Sequence, residues 1–199
     1  MTVNQDDRFD YKNVWDMQRN DVHPPFYYAL VHTICSFFPG TFSKWYAGSI
    51  NLIFALMTLF VIRKITRILT NSEMSTFFVS VCFCVSAGVL SSFTFLRMYV
   101  MTMFFVSLIT LIFIRFARNL DKKYLIQVFL VSVLGTLTHY YYLIYLFFIC
   151  LVFGIYLIYR KQWKLIGQYI VTMILAGVSV YLIFPEIISH SIGGGYRGN

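Results

Sequence analysis

The sequence predicts an all-α fold, a polytopic membrane bundle of about six transmembrane helices plus one interfacial, juxtamembrane helix. Composition is the first reason: 59% of the 199 residues are hydrophobic and only 12% are charged, about half the charge of a soluble domain. Mean hydropathy is +0.71. The second reason is continuity. Residues 76–114 carry one charge, Arg97, and residues 124–159 carry no Lys, Arg, Asp or Glu. In lipid such runs satisfy their backbone as helices, and the short alternating strands of a barrel are absent from the pattern.

Residues 1–23 are polar and read as a loop. Residues 24–38, "PPFYYALVHTICSFF", read as a helix with Pro24 or Pro25 in its first turn and Asp21 just ahead, where an acid favours a helix N-terminus. Fifteen residues rise about 22 Å, short of the roughly 30 Å hydrocarbon core, so this helix is expected at the interface or tucked against the bundle. Pro39-Gly40 ends it.

The bundle is expected over 39–184. Its first span is 45–62, anchored by Trp45 and Tyr46. The run 76–114 would extend about 58 Å as one helix, so it must double back near Ser91–Arg97, giving spans 76–96 and 98–114. The run 124–159 folds back at "THYYY", residues 138–142, giving 124–138 and 142–159. A last span covers 166–184, and 185–199 forms a tail. "GGG" at 193–195 lacks the Lys-Ser/Thr of a phosphate loop and reads as a flexible or broken end.

Charge sets the orientation. Loops 63–75, 115–123 and 160–164 hold ten basic and two acidic residues, whereas 1–44 holds four basic and five acidic ones. The basic loops are therefore cytoplasmic. This distribution also accounts for the net charge of +8 without a nucleic-acid partner. The segment around Asp21 and His23, the Arg97 turn, the "THYYY" turn and the tail all fall on the outer face.

Each chemistry-bearing residue has a plain reading and a functional one. Arg97 is either a snorkelling cation or a phosphate clamp, with Tyr99 two residues on. His139 and Tyr140–Tyr142 form an aromatic belt, or His139 binds a phosphate, a metal or a transferred proton. Asp21 is a helix N-terminal charge, or a base or ligand. His23 and His32 lie on opposite sides of an ideal helix, so one helix does not present both to one site. Cys35, Cys82, Cys84 and Cys150 read as small apolar core residues. No metal set is assigned: Cys82-Phe-Cys84 has no second pair, and a divalent cation is left open as a cofactor.

Three stretches carry a resemblance. "DVHPPFYYALVH", "LRMYVMTMFF" and "LGTLTHYYYLIYLF" are similar, in order and spacing, to signature regions of GT-C-fold glycosyltransferases, the group related to protein O-mannosyltransferases and lipid A aminoarabinose transferases. Bacterial members read Asp-x-His-Pro-Pro-Leu-Tyr-Tyr where this chain has Phe26. The resemblance implies transfer of a sugar from a polyprenyl-phosphate donor to a lipid, glycan or protein acceptor at the outer face of a bacterial plasma membrane, in modification of cell-envelope glycans. It implies catalytic roles for Asp21 and His23, and donor phosphate or sugar contacts for Arg97, Tyr99, His139 and Tyr140. Family members begin with a further span followed by an acidic pair, and continue past the tail. The expectation is therefore a fragment, inactive alone, with 1–23 as the remnant of an outer loop. Asp6, Asp7 and Asp10 do not follow a span and receive no base role. The alternatives are a small transporter or flippase, against which stands the absence of an inverted repeat, and a non-catalytic membrane scaffold.

Overall fold

Ten helices account for most of the computed structural model, which describes residues 2–21 and 23–192; no strand occurs among them. The tail motif 193–195 lies outside the described residues. Four helices are long and apolar enough to cross a membrane: α3 (Lys44–Thr70), α6 (Tyr99–Asn119), α8 (Tyr141–Tyr159) and α9 (Trp163–Ile183). A fifth crossing exists if α4 (Glu73–Val85) and α5 (Ala87–Thr94) are one span, because they meet at a 47° bend. The expected continuous helix 76–96 is thus broken. Ser86 is extended at φ −63°, ψ 123°, so the helical hydrogen-bond ladder restarts there.

Two of the remaining helices are short and apolar, α2 (Phe26–Phe37) and α7 (Lys123–Thr136). The other two are α1 (Tyr11–Arg19) and α10 (Ile187–Ile192). At 14 residues α7 rises about 21 Å, which, like α2, falls short of the roughly 30 Å hydrocarbon core. The count of six therefore does not follow from helix length.

Several boundaries moved for local reasons. α3 runs eight residues past the expected end at 62, because Arg and Lys are good helix formers that can reach water from a helix end. It stops where Asn71 takes the left-handed conformation, φ 50°. The segment 1–23 is not simply a loop. Asp10 caps α1 by accepting from the Lys12 N–H at 3.0 Å, and α1 buries Val14 and Gln18. α10 occupies part of the expected tail. Cys82 and Cys84 are exposed on α4 rather than buried; α4 buries only Thr76 and Ser80.

The central helix is α6. It packs against α3, α7 and α8, and Phe113 and Phe116 meet Phe153 of α8 at ring distances of 4.8 and 4.7 Å. One end of the bundle gathers the basic helix ends. There Arg118 Nη2 donates to the Ile68 carbonyl at 2.6 Å and Tyr156 donates to the Ala117 carbonyl at 2.7 Å. The opposite end carries α1, α2 and α10. α1 lies on α2 through Tyr11 and Thr33, 3.0 Å apart. It reaches α9 and α10 through Trp15 Nε1, which donates to the Ile183 carbonyl at 3.2 Å, and through Arg19 with Glu186 at 3.1 Å.

One polar pin holds that end. Asn51 of α3 is 0% exposed. It accepts from the Tyr27 hydroxyl at 3.3 Å and donates to the Phe93 carbonyl at 3.2 Å. It thereby ties α2 and the end of α5 to α3, and it satisfies a carbonyl in the last turn of α5.

Candidate functional site

The sequence separates Asp21, Tyr99 and His139 by more than a hundred positions from first to last. Packing joins them. The N–H of Phe26, at the start of α2, donates to the Leu137 carbonyl at the end of α7, 3.1 Å away. This docks the Pro24-Pro25 step on the α7–α8 turn, with both prolines buried. The His23 ring then lies 6.1 Å from the His139 ring, and His139 lies 5.7 Å from Tyr99 at the start of α6. All three sit at the end opposite the basic helix termini.

Asp21 is not the helix cap, since Pro25 occupies that position. Its two carboxylate oxygens each lie 3.3 Å from His23 Nδ1. A carboxylate only accepts, so in the neutral ring Nδ1 carries the hydrogen and Nε2 holds the lone pair. His139 has the opposite arrangement. Its Nδ1 accepts from the Tyr141 backbone N–H at 3.1 Å, so in the neutral ring Nε2 bears the hydrogen. His139 is 8% exposed. Burial, and secondarily the neighbouring His23, hold it below the ordinary histidine range. The two facing imidazoles thus offer a base nitrogen and a hydrogen-bond donor.

Arg97 is exposed, with its guanidinium 5.9 Å from the Phe95 ring. Tyr28 feels both the Asp21 and the Arg97 charge. Burial raises its hydroxyl first, Asp21 raises it further, and Arg97 opposes. Tyr140 departs from the expected grouping. Its hydroxyl engages His190 Nδ1 of α10 at 2.9 Å, and burial followed by the Asp21 and Glu186 charges raises it. It braces α10 rather than joining the stacked set of Tyr99, His139 and Tyr141, in which Tyr141 lies 4.7 Å from the His139 ring.

Sequence reasoning gave no site role to Tyr28, Tyr141, His190 or Glu186. Tyr28 and Tyr141 stood within quoted motifs and carried a signal; His190 and Glu186 sat in the tail and carried none. His32 packs on Tyr11 of α1, 5.6 Å between rings, away from His23. Among the described residues, no three His, Cys, Asp or Glu side chains converge as a metal set would require.

Beside the turn runs an apolar groove between α7, α8 and α9. Its upper part, about 380 Å³, is lined by Thr136, Leu143, Met173 and Val180. A second part, about 370 Å³, shares Leu143 and Met173 and extends down to Cys150 and Leu151. The groove begins three residues before His139. No family model, curated protein or solved structure matches this chain.

Proposed function

We propose that this chain belongs to a membrane glycosyltransferase that moves a sugar from a polyprenyl-phosphate donor to an acceptor at the outer membrane surface. The observation that carries the reading is the convergence of the Asp21–His23 pair with Tyr99 and His139 from three distant segments. The groove that starts at the same turn supports it, because its apolar wall suits an isoprenoid tail.

In this reading the chain crosses the membrane six times, α4 and α5 together making one crossing. α7 completes a crossing despite its length because it matches α6 at both ends, Tyr124 against Phe116 at 5.6 Å and His139 against Tyr99 at 5.7 Å. The basic ends face the cytoplasm of a bacterial cell, and the site faces outward.

The chemistry follows from the donors and acceptors present. His23 Nε2, oriented by Asp21, takes the proton of the acceptor hydroxyl. The acceptor oxygen bonds to the anomeric carbon of the sugar as the bond from that carbon to the phosphate oxygen breaks. The electron pair leaves with the polyprenyl phosphate. Arg97, the Tyr99 hydroxyl and the His139 Nε2–H stabilise the charge that grows there.

The test is transfer of labelled sugar from a polyprenyl-phosphate donor by the protein in its full-length membrane context. Asp21→Asn and His23→Ala each abolish transfer, and Arg97→Ala weakens donor use. Full activity in all three sinks the assigned site. Flux of the donor across vesicles without chemical change would establish the flippase alternative instead.

A further inference from the structure

A cavity of about 560 Å³ lies beneath the N-terminal cap, between residues 2–7, α1 and α2. This is within the size range of small-molecule sites, roughly 300–1,000 Å³. Asp7, Asn13, Asp16, Asn20 and His32 supply most of its polar wall. Val3 and Val14, both buried, form part of its apolar wall.

His32 marks it as more than a crevice. The residue is 3% exposed, and both ring nitrogens lack a hydrogen-bond partner. Two buried, unsatisfied nitrogens are costly, and native structures rarely keep them without a ligand or water to bond. Neutral imidazole offers one donor and one acceptor, and hydroxyl groups, which both accept and donate, can answer either. The carboxylates of Asp7 and Asp16 accept further hydroxyl or ammonium hydrogens, and the two asparagine carboxamides both donate and accept.

The wall also says what the ligand is not. None of its described lining residues is Lys or Arg, and the nearby Arg19 is engaged by Asp16 at 3.0 Å and Glu186 at 3.1 Å. A phosphate or carboxylate ligand would meet two carboxylates with no free countercharge on the wall. A hydroxyl-rich ligand, neutral or amine-bearing, meets no such penalty.

Its position relates it to the reacting groups. Asn20 lines the cavity, and the next residue is Asp21, whose Cα lies one peptide, about 3.8 Å, further on. A saccharide seated beside His32 and running past Asn20 would bring its next hydroxyl toward the Asp21–His23 pair.

We propose that this cavity is a saccharide-binding subsite that receives the acceptor, through hydroxyl contacts to His32, Asp7, Asn13 and Asn20. Saccharide binding stands on the cavity itself; the acceptor role rests on the glycosyl-transfer reading.

The experiment uses the full chain in lipid nanodiscs, with methyl glucoside, glucosamine and inorganic phosphate as separate probes. Saturation-transfer NMR reports binding, and histidine-ring shifts report its place. Both sugars should bind, glucosamine more tightly, and phosphate should not. His32→Phe should weaken both sugars at least tenfold. It should melt no lower than the parent, because it keeps a ring against Tyr11 and drops the two unpartnered nitrogens. Asp7→Asn should remove the preference for glucosamine. Absence of sugar binding to the parent, unchanged binding by His32→Phe, or phosphate binding ahead of the sugars overturns the proposal. Sugar binding lost in His32→Phe, with no transfer by the protein in its full-length membrane context, would keep the cavity and discard glycosyl transfer. Transfer with an unchanged acceptor KM in His32→Phe would discard the acceptor role alone.

Discussion

Replacing Asn51 by leucine tests whether a single polar side chain holds the site end of the bundle together. The substitution keeps the volume and removes both hydrogen bonds, to Tyr27 at 3.3 Å and to Phe93 at 3.2 Å. Interhelical hydrogen bonds in membranes average about 0.6 kcal/mol each, which gives about 1.2 kcal/mol for the pair. The Tyr27 hydroxyl, buried and left without its acceptor, adds roughly 1 kcal/mol or more. The expected loss is about 2 kcal/mol, near a 30-fold shift in the unfolding equilibrium, at about 1.4 kcal/mol per tenfold. Unfolding in mixed detergent micelles would measure it. The sharper reading comes from the double variant: Asn51→Leu with Tyr27→Phe deletes the orphaned hydroxyl and should recover about 1 kcal/mol relative to Asn51→Leu alone. Hydrogen exchange should meanwhile rise at the start of α2 and the end of α5, the two segments Asn51 joins. A double variant no more stable than Asn51→Leu, or a single variant within about 0.5 kcal/mol of the parent, would refute the reasoning.

Other consequences are open to direct measurement. A methyl group on Gly135 would overlap the Tyr142 ring, so Gly135→Ala should lower stability by about 1–3 kcal/mol; a rise, as the better helix propensity of alanine alone would give, contradicts the packing. His139 should titrate below the usual histidine value of about 6.5, because burial and His23 disfavour its charged form. The unfolded chain then takes up the proton first, so this contribution is complete above about pH 7 and declines as pH falls through the ordinary histidine range. His139→Gln should flatten that slope in pH-dependent melts, and an unchanged slope would assign it elsewhere. On the glycosyl-transfer proposal, Arg97→Lys should raise the donor KM roughly tenfold, because an ammonium keeps the charge and lacks the two-pronged fork that fits phosphate; equal KM values would remove Arg97 from the proposed donor site. Glu186→Gln should loosen α10 from α1 by removing one of the two carboxylate partners of Arg19, seen as faster proteolysis after residue 183, with a cost within about 1 kcal/mol since the pair is partly exposed.

The sequence by itself determined the apolar, helical character of the chain and the segregation of its charges. Run lengths in 76–114 and 124–159 required helices and turns, and the turns fell near Arg97 and at His139 as the arithmetic of rise demanded. The basic residues of 63–75, 115–123 and 160–164 marked one end because charge distribution is readable without a fold. Helix α1 escaped notice because a criterion built on long apolar runs cannot see a short amphipathic helix that buries only Val14 and Gln18. The break at Ser86 escaped because serine and glycine are common inside membrane helices. Tertiary structure alone decided that His23 meets His139 and His139 meets Tyr99, that Tyr140 turns to His190, and that Asn51 pins three helices. These contacts depend on how helices rotate and register against one another. Where nearly every face of a helix is apolar, one-dimensional periodicity marks no inner face, and the few polar side chains find their partners only once the bundle is packed.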